Sequence, residues 1–167
     1  EYAEPNYIRE AHRVPNDEYY ALQWHYPLIN LPQAWDLSIG ASVEPVVEPV
    51  VVAVIDTGVL MRHPDLRNRL TDDGYDFISD ARRARDGDGI DPDPDDPGDS
   101  AAGRSSFHGT HVAGTVAADT NNGQGVAGVS WGAKIMPLRV LGEGGGTEYD
   151  ILQALLYAAG LENDSKR

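Results

Sequence analysis

The sequence predicts an α/β domain built around a mainly parallel sheet. Apolar runs typical of buried strands occur at residues 50–55 and 134–141, and helical patterns occur at residues 105–118 and 147–159. Because strands alternate with loops and helices along the chain, the strands are expected to run parallel and the helices to cover them. A length of 167 residues allows one domain with a sizeable core, or a part of a larger one.

The first strand organises this prediction. Residues 50–55 consist of five β-branched residues and one alanine, with no polar alternation. Such a run is typical of a central strand that is covered on both faces. It ends at Asp56, which is followed by a Thr-Gly turn. Open α/β sheets place ligands at the carboxyl ends of their strands, so we expect the chemistry at Asp56.

Charge and composition exclude several functions. The net charge of -14 argues against nucleic acids and the inner membrane leaflet as partners, because both require a basic face. The chain has no cysteine, which excludes disulfides and thiolate metal sites. No apolar run approaches the roughly 20 residues of a membrane span. The chain starts abruptly at Glu1 and stops in polar sequence, so we expect a fragment of a longer protein.

An acidic tract follows a short second strand at residues 74–78. Residues 72–99 contain eleven aspartates and three arginines, which is typical of a solvated, disordered loop. However, residues 86–91 alternate short carboxylates with glycines that let the backbone curl around a cation. Calcium takes about six to eight oxygen ligands in such a wrap. The residues alone leave the disordered-loop and calcium interpretations open.

The predicted helix at residues 105–118 has an interior of small residues and is entered through a tight glycine turn. Glycine and threonine are poor helix formers, so burial must stabilise this helix, and its small side chains allow close approach to the sheet. His108 lies near its amino end and His111 three residues later. In the strand at residues 134–141, Pro137 predicts an irregularity or an edge.

Residues 142–147 are predicted to form a flexible loop in which glycines permit close approach of a ligand. A phosphate-binding loop is excluded because no Gly-Lys-Ser/Thr follows. Thr147 and Asp150 resemble a capping box at the start of a helix, which ends at Gly160.

Two groups of residues compete for the chemistry. Asp56 and His108 together fit nucleophilic hydrolysis, in which a buried aspartate holds a histidine that takes a proton from serine. Alternatively, His108 and His111 bind a metal, with His63 or an aspartate as a further ligand.

Five motifs then resemble those of the subtilisin-like serine proteases. Residues 52–58 (Val-Ala-Val-Ile-Asp-Thr-Gly) and 108–115 (His-Gly-Thr-His-Val-Ala-Gly-Thr) resemble the Asp and His motifs of that family. His-Pro-Asp-Leu at 63–66, Val-Ala-Gly-Val at 126–129 and Val-Leu-Gly at 140–142 match it in order. The resemblance implies the subtilisin-like three-layer α/β fold with a mainly parallel sheet, incomplete in this fragment. It also implies that Asp56 orients His108, which acts as general base and then as general acid.

The resemblance divides the chain and implies a cellular setting. Residues 1–10 are similar to the end of an inhibitory propeptide, and residues 11–167 to the amino-terminal part of the peptidase domain. The implied protein is secreted and calcium-dependent, acts on polypeptide substrates and binds its own propeptide.

The resemblance further implies metal-binding and substrate-binding residues. A first Ca²⁺ site would use Asp17, Gln23, Asp65 and Asn122, with main-chain oxygens near Asp119, Gln124 and Val126. A second would use Asp80, Asp86 and Asp88. A substrate peptide would lie along Gly144, Gly145 and Gly146, with Leu141 and Tyr149 lining an apolar pocket.

The family's nucleophile motif, Gly-Thr-Ser-Met-Ala-x-Pro, has no counterpart here. We therefore expect residues 1–167 to be inactive alone and the full-length protein to be an active endopeptidase. Two alternatives are a non-catalytic calcium-binding or interaction module of the same fold and a histidine-based metalloprotein. An exposed sheet edge in such a fragment would invite association.

Overall fold

The computed structural model describes residues 13–41, 48–100 and 102–165. Its strands are β1 (Val51–Asp56), β2 (Tyr75–Asp76) and β3 (Lys134–Arg139). A 3-10 turn (Tyr20–Leu22) precedes five helices: α1 (His25–Leu28), α2 (Leu31–Leu37), α3 (Ala81–Ala84), α4 (His108–Ala117) and α5 (Glu148–Ala158). The propeptide-like segment expected at residues 1–10 lies outside the described residues.

The three strands form a parallel sheet in the order β1-β3-β2, which confirms the predicted α/β class. In the register, Asp56 of β1, Arg139 of β3 and Asp76 of β2 lie side by side. The prediction that β1 is central is wrong for the described chain, where β3 occupies the centre and Val51 at the start of β1 is exposed. An apolar run reports that both faces of a strand are covered, but it does not report neighbours along its edges.

Alternate residues of β1 enter two cores on opposite faces of the sheet. Val52 and Val54 pack with Ala113 and Ala117 of α4. Ala53 and Ile55 belong to the other core, with Ala154 and Ile151 of α5. Since side chains alternate along a strand, α4 and α5 cover opposite faces and the domain has three layers.

Pro137 produces the irregularity that its sequence position predicts. The N–H of Ile135 donates to the carbonyl of Arg69 at 2.8 Å, on the side of β3 where β2 lies. The nitrogen of residue 137 faces the same side, because N–H directions alternate along a strand. β2 begins only opposite Leu138. The N–H that proline lacks therefore falls between the bond of Ile135 to Arg69 and the pairing of β3 with β2.

The amino-terminal helices form a third core around Tyr26, Leu31 and Trp35. The Trp35 indole N–H donates to the carbonyl of Val129 at 2.8 Å, and the Tyr26 hydroxyl donates to that of Ala127 at 2.8 Å. These bonds fix the glycine-rich loop that follows α4. No helix in the described part of the chain is long and apolar enough to cross a membrane.

The close approach of α4 to β1 predicts opposite effects for two glycines of the same helix. A Cβ at Gly109 would lie 2.2 Å from the carbonyl oxygen of Gly58, whereas a Cβ at Gly114 would meet no atom within 4 Å. Gly109→Ala should therefore destabilise the protein by about 1–3 kcal/mol through overpacking. Gly114→Ala should stabilise it by roughly 0.5–1 kcal/mol, because alanine is the better helix former.

Urea denaturation of both variants measures the two changes in the free energy of unfolding. If Gly109→Ala were as stable as Gly114→Ala, α4 would not lie against β1 as described.

Candidate active site

Backbone contacts on both sides hold Asp56 at the carboxyl end of β1. Its main-chain carbonyl accepts the N–H groups of Val140 and Leu141, at 2.8 and 3.1 Å. Its side chain is almost fully buried, and Oδ1 accepts the N–H of Thr57 at 2.7 Å. These backbone contacts orient the carboxylate independently of His108.

His108 is the first residue of α4, and hydroxyl groups satisfy the free N–H groups of this helix end. Thr57 Oγ1 accepts the N–H of Gly109 at 3.0 Å, and Ser106 Oγ accepts that of His108 at 3.3 Å. Phe107 takes the left-handed position before the helix, with φ of 55°. The predicted start at residue 105 is therefore three residues early. Ser105 and Ser106 lie before the helix, and their hydroxyls accept the N–H groups of Phe107 and His108.

The two side chains meet directly. Nδ1 of His108 lies 2.8 Å from Oδ1 and 2.9 Å from Oδ2 of Asp56. Because an ionised carboxylate only accepts hydrogen bonds, Nδ1 carries the proton and Nε2 of the neutral ring holds a lone pair. The side chain of His108 is 64% exposed and that of Asp56 11% exposed. The arrangement is therefore a buried acid holding an accessible base.

The hydrogen bond to Asp56, together with the attraction of its negative charge, raises the pKa of His108 above the usual 6.5. Asp99 adds a smaller contribution of the same sign. A raised pKa makes the imidazole a stronger proton acceptor and stabilises the imidazolium once it forms.

In the described residues, no serine hydroxyl is hydrogen-bonded to Nε2 of His108. The two nearby hydroxyls are directed elsewhere, since Ser105 Oγ donates to Asp96 and Ser106 Oγ donates to Asp99. The pair can move a proton, but the nucleophile it would activate is not among these side chains.

The histidines do not form the alternative metal site. Across the described ranges, the only three acidic or histidine side chains with ligand atoms within 4.8 Å of one another are aspartates of the acidic tract. Nδ1 of His63 instead accepts the N–H of Asp65 at 3.2 Å. His63, His108 and His111 are therefore not grouped around one ion.

The residues of the first implied calcium site lie where the amino-terminal arm meets the loop after α4. The carboxylates of Asp17 and Asp65 are buried, and no ion pair joins either to another described residue. Asp65 accepts the side-chain amide of Asn122 at 2.8 Å and the N–H of Val126 at 2.9 Å. Asp17 Oδ2 accepts the N–H of Asn121 at 2.9 Å, while Oδ1 is buried and has no hydrogen-bond partner in the described chain.

Three of the implied residues behave differently from this group. The Gln23 amide makes two hydrogen bonds, because Nε2 donates to the carbonyl of Ala127 and Oε1 accepts its N–H, both at 2.9 Å. The Asp119 carboxylate is paired with Arg69 at 2.6 Å, which leaves only its main chain beside Asp65. The Gln124 side chain is exposed. The Gln23 amide and the Asp119 carboxylate therefore already have partners in the described chain, whereas Asp119 was expected to contribute only its main-chain oxygen.

In the acidic tract, the clustered carboxylates are Asp86, Asp88 and Asp91. Burial, with the neighbouring Asp88 and Asp86 carboxylates, raises the pKa of Asp91 to about 6. Asp80, which was expected in this set, instead caps α3 by accepting the N–H of Arg82 at 3.0 Å. Asp91 was not among the three residues expected for this site, although it belongs to the run of spaced carboxylates at residues 86–91.

The glycines expected to bind substrate form a tight turn rather than a flexible loop. Gly142 and Gly145 exchange backbone hydrogen bonds of 3.2 and 3.0 Å. Gly144 and Gly145 have φ of 79° and 96°, a region that favours glycine. Leu141 is partly buried in the α5 core, and the 53% exposed Tyr149 donates its hydroxyl to Asp164.

A cavity of about 710 Å³ lies beside the Asp56–His108 pair rather than at it. Side chains of α4, including His111 and Thr115, line it together with residues of the amino-terminal arm and the 124–126 loop. Neither Asp56 nor His108 contributes to the lining, so the cavity is separate from this pair.

Sequence reasoning also missed the supporting residues Thr57 and Arg139. Thr57 follows Asp56 in the strand-end motif, but its cap on Gly109 is a contact across 52 positions of sequence. Arg139 is fully buried, although it read as an ordinary strand residue, and it pairs with Asp76 and Asp86. The signal was a basic residue inside an apolar strand, which requires an acidic partner.

The pKa of His108 gives a direct test of the pair. In the wild-type protein the His108 imidazole should titrate above 6.5, and Asp56→Asn should lower its pKa because the hydrogen bond to a charged carboxylate is lost. Because the folded-state pKa is raised, the stability gained from this pair is present at low pH and is lost as pH rises through that pKa. NMR titration of the imidazole C–H signals measures the shift.

Asp99→Asn is the matched control, since it removes the same charge without a direct bond to the imidazole and should cause a smaller decrease. Equal decreases in the two variants would contradict a direct Asp56–His108 bond.

Comparison with known proteins agrees with the family that the sequence motifs resemble. The sequence model of the Subtilase family matches residues 48–167. The chain is 45% identical over 171 residues to an extracellular protease of Xanthomonas campestris pv. campestris, covering 94% of this chain and 28% of that protein. It is 42% identical over 177 residues to an extracellular basic protease of Dichelobacter nodosus, covering 96% of this chain and 28% of that protein.

Among solved structures, a protease from Pseudoalteromonas arctica PAMC 21717 superposes with a TM-score of 0.81 at 46% identity, covering 92% of this chain and 46% of that one. This likeness confirms the subtilisin-like three-layer fold. The chain spans less than a third of the length of the two curated relatives. On the family match and these identities, the chain belongs to the subtilase family of serine proteases.

Proposed function

We propose that this chain is the Asp- and His-bearing part of a secreted serine endopeptidase. The observation that carries the proposal is the bond from Nδ1 of His108 to both carboxylate oxygens of Asp56, at 2.8 and 2.9 Å. An aspartate in that position holds the imidazole in the tautomer that leaves Nε2 free to accept a proton. The extracellular relatives and the net charge of -14 support a secreted protein.

The proposed reaction is hydrolysis of a peptide bond through an acyl-enzyme. Nε2 of His108 removes the proton from a serine hydroxyl while the oxygen attacks the substrate carbonyl. The imidazolium then gives that proton to the amine as the C–N bond breaks, and Asp56 stabilises the positive charge between the two transfers. A water that gives its proton to Nε2 then attacks the acyl-enzyme, and the serine oxygen leaves and takes that proton back. The serine is proposed to come from another part of the protein, because no serine here lies in a nucleophile motif.

Polypeptide substrates are proposed to bind along the glycine turn. Val140 and Leu141 donate to the Asp56 carbonyl, so the turn begins immediately beside the acid. Because glycines have no side chain, the backbone of the turn is accessible to an extended substrate peptide. Such a peptide can form backbone hydrogen bonds with the turn, as an added β-strand does. Leu141 and the exposed ring of Tyr149 are the proposed apolar contacts.

Calcium is proposed to bind between the amino-terminal arm and the loop after α4. Asp17 and Asp65 are two buried carboxylates without a cationic partner in the described chain, an arrangement that costs free energy unless a cation neutralises it. The unpartnered Oδ1 of Asp17 and the carboxylate of Asp65 are hard oxygen donors, and rotation of the Asn122 amide presents a third. The ion would tie the arm to the domain.

The acidic tract is the proposed second site. Asp86, Asp88 and Asp91 supply three carboxylates there, although Asp86 also accepts a bond of 2.7 Å from Arg139. An ion at this position would offset the mutual repulsion of the three charges.

Activity measurements test the proposal. We expect the full-length protein to hydrolyse peptide substrates, and Asp56→Asn to lower kcat by about 10⁴-fold because the histidine loses its productive tautomer. Residues 1–167 alone should show no hydrolysis. His111→Gln is the control and should retain nearly full activity, since His111 does not contact Asp56 or Nδ1 of His108 in this structure.

Hydrolysis by the 167-residue chain would place the nucleophile within it and contradict the proposal. An inactive full-length protein that still binds calcium would instead support the non-catalytic module. Bound zinc, lost in His111→Gln, would support the metalloprotein.

Calcium binding has its own test. Asp17→Asn and Asp65→Asn should each weaken Ca²⁺ binding on the order of tenfold or more, because each removes one negatively charged ligand. Isothermal titration calorimetry measures the affinity, and the Ca²⁺-dependent rise in Tm should shrink in parallel. Asp119→Asn is the control, since its carboxylate bonds Arg69 and Asn68 instead. Unchanged affinity in both Asp17→Asn and Asp65→Asn would exclude this site.

A further inference from the structure

Arg83 of α3 binds the backbone of the glycine turn at residues 142–145. Its Nε donates to the carbonyl of Glu143 at 3.2 Å. Its Nη2 donates to the carbonyls of Gly144 and Gly145, at 3.3 and 2.8 Å. The main chain joins in the opposite direction, because the N–H of Glu143 donates to the carbonyl of Arg83 at 2.9 Å. One residue therefore holds three successive peptide units.

Arg85 adds a second connection at the same turn. Its Nη1 lies 2.5 Å from Oε2 of Glu143 and 2.9 Å from the carbonyl of Ser100. Both side chains of the ion pair are partly buried, with exposures of 26% and 37%. The pair joins the turn to α3 and to the end of the acidic tract.

The strand that leads into the turn holds α3 in return. Arg139, the last residue of β3, is fully buried and donates to the carbonyl of Ala84 and to Oδ2 of Asp86. A four-residue helix is too short to be stable without such contacts. Since Arg139 of β3 bonds α3 and Arg83 of α3 bonds the turn after β3, hydrogen bonds connect these segments to one another beside Asp56.

We propose that Arg83 and Arg85 are positioning residues for substrate binding, which hold the glycine turn in the conformation that pairs with an extended peptide. The inference rests on the proposed function, because it takes the turn to be the substrate-binding edge. Glycine loses more conformational freedom on ordering than any other residue. If nothing held this run of consecutive glycines in place, each binding event would have to order the turn. The conformational entropy lost in that ordering would weaken the affinity for substrate. Each carbonyl has two lone pairs, so those of Glu143 and Gly144 can still accept from a peptide. The carbonyl of Gly145 already accepts from both Arg83 and the N–H of Gly142.

Steady-state kinetics of the full-length protein test the inference with two substrates. The peptide part of a tetrapeptide p-nitroanilide is long enough to extend from the scissile bond to the turn. A single-residue ester is too short to contact the turn. For Arg83→Ala we expect KM for the tetrapeptide to rise about tenfold with kcat within about twofold, and the ester kinetics to stay unchanged. Arg83→Lys should be intermediate, because lysine is a point donor and cannot fork between carbonyls.

Arg82→Ala is the matched control from the same helix. The Arg82 side chain is 92% exposed and, among the described residues, its ion pair is with Asp80 on the surface, so both substrates should behave as in the wild type. A loss of equal size on the tetrapeptide and the ester would indicate general structural damage and overturn the inference. So would an unchanged KM for the tetrapeptide in Arg83→Ala.

Hydrogen exchange separates a failure of this inference from a failure of the proposed function. Amides of residues 142–146 should exchange faster in Arg83→Ala than in Arg82→Ala, whether or not the protein hydrolyses either substrate. If the wild type is inactive and exchange still rises, the proposed function fails while the role of Arg83 in holding the turn stands. Unchanged exchange would overturn that role.

Discussion

The contact of α4 with the carboxyl end of β1 decides where chemistry can occur in this domain. Gly109 lies so close to Gly58 that no side chain fits between them, and its N–H bonds the hydroxyl of Thr57. This contact brings His108 to within 2.8 Å of Asp56. Shifts of about 1 Å in catalytic groups can cost much of a reaction rate, so in the proposed reaction the small residues of α4 would serve catalysis as well as packing. The buried acid, the exposed base and the raised pKa of His108 all follow from this one approach.

A buried charge links that site to the acidic tract. Arg139 is fully buried beside Asp56 in the sheet register, and it pairs with Asp76 and Asp86. Taking such charges out of water is costly, and breaking the pair would leave an uncompensated charge inside the protein. The buried ion pairs of Arg139 are therefore better explained by the positions they impose on neighbouring segments than by a gain in the free energy of unfolding. It directs the tract back towards the sheet and sets α3 beside the glycine turn.

Local patterns predicted the elements well, because each pattern reports a physical requirement of its own segment. The β-branched run became β1, the small residues of α4 became its sheet-facing surface, and Thr147 caps α5 by accepting the N–H of Asp150 at 3.1 Å. Partnerships between distant segments were less accessible. The turn at residues 142–145 was expected to be flexible because glycines carry no side chain, yet it is held by Arg83, a residue about sixty positions earlier. Gln23 is a similar case, since its amide bonds the main chain of Ala127 on the loop after α4. Asp80 differs, because its partner is the N–H of Arg82 in the helix that it caps.

The sequence alone determined the α/β class, the position of Asp56 at a strand end, the position of His108 at a helix start and, through its motifs, the family. These are local properties, set by hydrophobic pattern, capping and short motifs. Only the tertiary structure decided that Nδ1 of His108 meets both oxygens of Asp56, that Asp91 rather than Asp80 joins Asp86, and that Arg83 holds the glycine turn. The first and last of these contacts join segments that are distant in sequence, whereas the second depends on how the acidic tract itself folds. In each case the partner of a charged side chain is fixed only once the folded chain has set the distances.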